Sequence, residues 1–147
     1  MQRRTFLRSV VAATGVATAG CSLDSRPDGT ATPDPEQRTL DRVRLSHSSS
    51  DAKRVSLLIT RDGSTVYWQT LELPSADGQR TRQSLTVEPP EYERARGVHH
   101  VYVRSLTDGV RNDIAIAELS TEECYLLNAR VTTDSIGFSQ SLNMERC

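Results

Sequence analysis

From Leu40 onward, apolar and polar side chains alternate with a period of two, and paired turn residues interrupt the alternation at intervals. Successive side chains on a strand point to opposite faces, so this pattern buries one face of a sheet and wets the other. In KRVSLLITRDGSTVYWQTLEL, Val55, Leu57 and Ile59 share one face. Asp62-Gly63 then suits a two-residue hairpin turn with positive φ at both positions, and Val66 and Trp68 alternate on the return. A second hairpin runs through VHHVYVRSLTDGVRNDIAIAEL, with Val101 and Val103 on one face, Asp108-Gly109 at the turn, and Ile114 and Ile116 returning. The third, CYLLNARVTTDSIGFSQSL, alternates Tyr125, Leu127, Ala129 and Val131, then Ile136, Phe138 and Leu142. Weaker strands are expected at Leu40 to Ser46 and Arg82 to Glu88; Pro89-Pro90 ends the latter, because proline cannot donate to a ladder.

About eight short strands with regular turns and no convincing helix predict a β-sandwich over residues 40–147. Trp68 is expected in its core, bridging the two sheets. Tyr92, a few residues before the strand that begins near Val98, is expected to cap a strand crossing with its hydroxyl. Over residues 40–142 the layout resembles the immunoglobulin-like domains of exported prokaryotic proteins. That resemblance implies an all-β, immunoglobulin-like β-sandwich of about seven to eight antiparallel strands. The cysteines depart from the antibody arrangement, in which a disulfide joins the two sheets across the tryptophan.

Residues 1–20 read as an export signal. Arg3-Arg4 form a positive start, and the weak apolar run from Val10 to Gly20 is too short to span a hydrocarbon core of about 30 Å. Arg3-Arg4-Thr5-Phe6-Leu7-Arg8 resembles the twin-arginine pattern, with Arg3 and Arg4 as its pair, although Gln2 departs from the usual Ser or Thr. The resemblance implies export of an already folded domain. Thr18-Ala19-Gly20-Cys21 is similar to a lipobox, with Thr18 where leucine is usual. This implies that Cys21 becomes a lipid-bearing N-terminus; the other reading is a secreted protein cut near Ala19, with Cys21 merely adjacent. Residues 21–39 hold Pro27, Pro33 and Pro35 with almost no large apolar side chain, which predicts a disordered tether. Seventeen of the 18 basic residues are arginine, the usage of a GC-rich genome, and with the leader this resembles haloarchaeal proteins.

With Cys21 assigned to lipid, Cys124 and Cys147 form an even pair in an oxidising compartment. Their disulfide would close a loop worth about 3 kcal/mol on the chain-entropy model and fasten the chain's last residue. Metal binding by these cysteines is the rival, weakened by the lack of a Cys-x-x-Cys spacing or a nearby histidine.

The remaining residues exclude more than they propose. The formal charge is −1, and removing Arg3, Arg4 and Arg8 with residues 1–20 leaves −4, which is no basic footprint for nucleic acid. His99 and His100 are adjacent, so on a strand they point to opposite faces and do not readily share a metal. One is expected at the sheet edge and the other in solvent. Copper-site spacing is missing around Cys124 and Met144, and no Gly-x-Ser-x-Gly elbow, calcium loop or phosphate cradle occurs. The acidic stretches at Glu88 to Glu93 and Glu122-Glu123 read as solvated surface. No catalytic, cofactor-binding or metal-binding residue emerges, and no cofactor is expected. The expected function is a membrane-anchored extracytoplasmic lipoprotein acting as a non-catalytic interaction module. It would meet the bilayer through lipidated Cys21 and another envelope protein through its sandwich. The alternative is a small ligand-binding accessory domain for uptake, taking a sugar or a metal ion.

Overall fold

The structure is a computed structural model that describes residues 34–76, 82–119 and 123–141. Eight strands run in chain order: β1 Thr39–His47, β2 Lys53–Arg61, β3 Ser64–Leu73, β4 Gln83–Val87, β5 His99–Ser105, β6 Arg111–Ala115, β7 Cys124–Val131 and β8 Ile136–Ser141. They form two four-stranded sheets, ordered β4-β1-β7-β8 and β3-β2-β5-β6, so the protein is a β-sandwich. The expectation of purely antiparallel strands needs one correction, because β1 and β7 pair in parallel. Residues 48 to 123, including the whole second sheet, intervene between them. Parallel neighbours require a long crossover of this kind, whereas each hairpin here joins antiparallel strands.

The two inner faces supply the core. Leu45, Leu127, Ala129 and Val131 come from the first sheet, and Val55, Leu57, Ile59, Val101 and Val103 from the second, all essentially sealed from water. Burying each of these valine, leucine and isoleucine side chains contributes about 1.5–3 kcal/mol. The β1–β7 register shifts between Leu40 and Arg42, which allows both Leu40 and Val43 to face inward although they are three residues apart.

Trp68 is not in the core: it is 71% exposed. The cause is a bulge in β3. Ile59 pairs with Tyr67 and Thr60 with Thr65, which leaves Val66 as an extra residue. Without it, Val66 would oppose Ile59 and Trp68 would oppose Leu57 on the inner face. The one-residue slip moves Tyr67 inward and turns Trp68 out. Tyr67 is buried there and meets Tyr92 edge-on, with ring centroids 6.4 Å apart. Tyr92 fulfils its expected role: it is buried between β4 and β5, and its hydroxyl donates to the Leu40 carbonyl on β1 at 3.3 Å. Burial, with Asp41 nearby, pushes its phenol well above the ordinary value.

Two boundaries also shift. The ordered domain begins before Leu40, at a 3₁₀ turn over Pro35–Gln37 whose Asp34 side chain accepts from the Glu36 N–H. Arg38 is buried and donates to the Ala117 carbonyl at 3.1 Å, and its own carbonyl accepts from Gly97 N–H. A polar segment thus orders by side-chain and main-chain hydrogen bonds where apolar burial was lacking. Ile116 is buried as expected, but in a 3₁₀ turn over Ile116–Glu118 and not on β6. The Asp108-Gly109 turn belongs to a five-residue connection over 106–110, whereas Asp62 and Gly63 form a tight turn with φ of 52° and 77°. Leu142 lies outside the described residues.

Candidate functional site

The residues that point away from the core on β3, β2, β5 and β6 form rungs across the second sheet. The central rung is Trp68, Leu58, Tyr102 and Asp113, each paired with the next across a strand boundary. Tyr102 is 38% exposed, so this rung places two aromatic side chains and a leucine on an open face. Beside it, Thr70, Ser56, Arg104 and Arg111 make the next rung. Between the two rungs lies a shallow concavity of about 260 Å³.

His100 supports this face from one side. Its ring stacks on Tyr102 at 4.3 Å with the planes 9° apart, and its Nε2 lies 2.7 Å from Asp113 Oδ2. Tyr102 lines the concavity and His100 does not. Arg104 and Arg111 line it too, and neither guanidinium has an ion-pair partner among the described residues. Arg54, further along β2, faces Glu72 across the β2–β3 ladder.

The other histidines are structural. His47 is buried; its Nδ1 lies 3.3 Å from Ser49 N and its Nε2 2.7 Å from the Pro74 carbonyl, contacts that fix the orientation of the ring. His99 faces inward and is buried, on a central strand of the sheet, while half-buried His100 faces out. The two therefore lie on opposite faces as expected, with His99 inside and not at a sheet edge. Burial lowers the His99 imidazole below its usual value near 6.5, a drop that Arg61 reinforces and that the Gly97 backbone and Asp62 oppose. The folded state holds this ring neutral, so the associated stability is complete above about pH 6.5 and declines as pH falls below it. The slope approaches about 1.4 kcal/mol per pH unit until the folded pKa is reached. Urea midpoints at pH 7.5 and 5.5 are expected to diverge more in the wild type than in His99→Phe.

Among the described residues, no group of three or more His, Cys, Asp or Glu side chains could hold a metal, and no helix is long and apolar enough to cross a membrane. Cys124 opens β7 half-buried and is disulfide-bonded. Cys147, its expected partner, lies outside the described residues, as do Cys21, Arg3 and Arg4. The open rung escaped the sequence reading because the Val66 bulge was hidden. Part of its signal was present: in HHVYVRS, His100, Tyr102 and Arg104 alternate with Val101 and Val103.

No family model and no curated protein matches the chain. Among solved structures it is similar to a candidate cell adhesion protein from Bacteroides uniformis, at 8% identity and a TM-score of 0.36, over 72% of this chain and 50% of that one. It is also similar to the cytotoxin suilysin from Streptococcus suis, at 12% identity and a TM-score of 0.31, over 70% of this chain and 23% of that one. The membrane-binding domain of pneumolysin is similar at 12% identity and a TM-score of 0.28, over 70% of this chain and 96% of that domain. This chain thus spans half of the first protein and about a quarter of the second, and the likeness is one of chain path alone.

Proposed function

We propose that this chain is a membrane-anchored extracytoplasmic lipoprotein whose β-sandwich is a non-catalytic interaction module of the cell envelope. The observation that carries the reading is the open Trp68-Leu58-Tyr102 rung. An exposed tryptophan beside a second aromatic, and beside two arginines that have no ion-pair partner among the described residues, is the composition of a binding hot spot. The lipobox-like stretch at Thr18 to Cys21 supports the anchor. The segment that follows it joins the first sheet at β1, while the open face belongs to the second sheet, so attachment and recognition use different sheets.

The test is to purify the full chain from gently solubilised native membranes and identify what accompanies it. A stoichiometric companion is expected with the wild type and is expected to be lost from Trp68→Asp. Because Trp68 is exposed, that substitution should change stability by no more than about 0.5 kcal/mol. Cys21→Ser is expected to leave the membrane fraction; a variant that stays there at unchanged mass overturns the anchor. A companion retained by Trp68→Asp overturns the role of the face. The second reading, a ligand-binding accessory domain, is favoured by the concavity and its two arginines.

A further inference from the structure

The geometry points to the open face of the second sheet as a binding site for an acidic glycan. A sugar ring would stack on Trp68 and Tyr102, and its carboxylate or sulfate would lie between Arg104 and Arg111. The inference rests on the reading of this face as the recognition surface, and it names the ligand chemistry.

Three observations converge on it. Arg104 and Arg111 are direct partners across the β5–β6 ladder on the outer face, yet no carboxylate among the described residues pairs with either. Like charges directly opposite in a sheet are destabilising. An anion held between two planar guanidiniums removes that repulsion and gains charge-assisted hydrogen bonds. Asp113, the acid that borders the concavity, is instead engaged with His100 at 2.7 Å.

The second observation is the aromatic pair. Trp68 and Tyr102 flank Leu58 in one rung, and His100 covers only one face of the tyrosine. A pyranose has an apolar C–H face that stacks on an aromatic ring and a rim of hydroxyls that needs polar neighbours. Ser56 and Asp113, which line the concavity, supply a hydroxyl and a carboxylate acceptor for that rim. The volume of about 260 Å³ lies just below the ~300 Å³ at which small-molecule pockets begin, the scale of one ring and not of a deeply enclosed ligand.

The third is what the face lacks. β2 and β5 are each hydrogen-bonded on both sides, so the middle of the sheet offers no unpaired backbone to an added strand. A polypeptide joining by strand addition would have to use the edges, β3 or β6. A ligand in the middle of the face is held by side chains alone, which suits stacking with a salt bridge.

Trp68 is the chain's only tryptophan, so its emission reports on this face directly. The full chain is titrated with trigalacturonate, a hyaluronate tetrasaccharide and a sulfated heparin tetrasaccharide, each followed by tryptophan emission and by calorimetry. At least one is expected to give a saturable emission shift. Where trigalacturonate is that ligand, its methyl ester, which keeps the rings and loses the charge, is expected to bind at least tenfold more weakly. Arg104→Gln and Arg111→Gln are each expected to raise Kd at least tenfold without lowering Tm, since each relieves the repulsion between the two charges, and Trp68→Ala to abolish the heat of binding. If none of the three acidic glycans produces a shift or heat, the inference is overturned. Equal binding by both arginine variants overturns the anionic part. A shift with hexaglutamate but with no glycan also overturns the glycan site, while leaving the face as a recognition surface. A protein companion lost from Trp68→Asp without any glycan response separates the two readings in the same way.

Discussion

Asp108→Ala is expected to destabilise the domain by about 3–5 kcal/mol, the range for removing one partner of a buried ion pair. Lys53, the chain's only lysine, is 3% exposed, and its Nζ lies 2.5 Å from Asp108 Oδ1. The other carboxylate oxygen accepts from the buried Ser105 hydroxyl at 2.7 Å, and Ser105 Oγ accepts from Asp108 N–H at 3.1 Å. Deleting the carboxylate strands an ammonium group away from water and unties the 106–110 connection. Domains of this size have about 5–15 kcal/mol in total, so the loss is a large share. Denaturant midpoints measure it, and Lys53→Met combined with Asp108→Ala should recover much of it, because the double variant leaves no unpaired charge. A similar loss in the double variant would show that the loop geometry, and not the charge, sets the cost.

The pH dependence of the same pair has a definite sign. Burial pushes the Asp108 carboxyl up, but hydrogen bonds from Lys53 and Ser105 and the charges of Lys53 and His47 outweigh it and hold the group below the ordinary carboxylate value of 3.8. The pair's contribution is therefore complete above about pH 4 and is lost as pH falls through the lower, folded pKa. The gap between wild type and Asp108→Ala is expected to narrow only in that acid range.

The second large effect is at Gly97. Its φ of +153° lies where side-chain-bearing residues are strained, a cost of about 1–3 kcal/mol. An added Cβ would also sit 2.6 Å from Asp62 Oδ2 and 2.7 Å from Arg61 Cγ. The Asp62 carboxylate does not swing away freely, because its Oδ1 accepts from Val98 N–H at 2.8 Å and Asp62 N–H donates to the Val98 carbonyl at 2.9 Å. Gly97→Ala is expected to cost about 3 kcal/mol or more, combining the strain with the clash. Gly63→Ala is the control: φ is +77°, but nothing lies within 4 Å of the new Cβ, so only the backbone cost of about 1–2 kcal/mol remains. Equal losses at the two glycines in equilibrium denaturation would show that the Asp62 lock contributes nothing. That lock joins the β2–β3 turn to the start of β5, the strand that presents Tyr102 and Arg104.

What could be read from the sequence depended on whether a residue's environment was set by its own strand or by a distant one. Val55, Leu57 and Ile59, and likewise Val101 and Val103, were legible because a regular strand alternates whatever pairs with it. Tyr92 was legible as an isolated aromatic between strands at a crossing. Trp68 was misplaced because the bulge at Val66 arises from pairing with β2, and β3's own composition carries no mark of it. Arg104 could be placed on the polar face of β5, but its opposition to Arg111 depends on the five-residue connection between β5 and β6. The parallel β1–β7 pair was invisible for the same reason, since local alternation carries neither direction nor partner. Arg38 read as tether because its polar surroundings gave no hint of the Ala117 carbonyl waiting for it.

The placement of β1 has a mechanical consequence. Any pull delivered through the residues before Asp34 passes the Pro35–Gln37 turn and the Arg38 hydrogen bonds and then loads β1, a strand flanked by β7 and, over Val43–His47, by β4. Tension directed along β1 loads both flanking ladders in shear, so many hydrogen bonds share the force. An edge strand pulled sideways would instead open one bond at a time, like a zipper. A domain held by its leading segment in a moving fluid is therefore gripped at a strand fastened on both sides, while the β3-β2-β5-β6 face belongs to the other sheet.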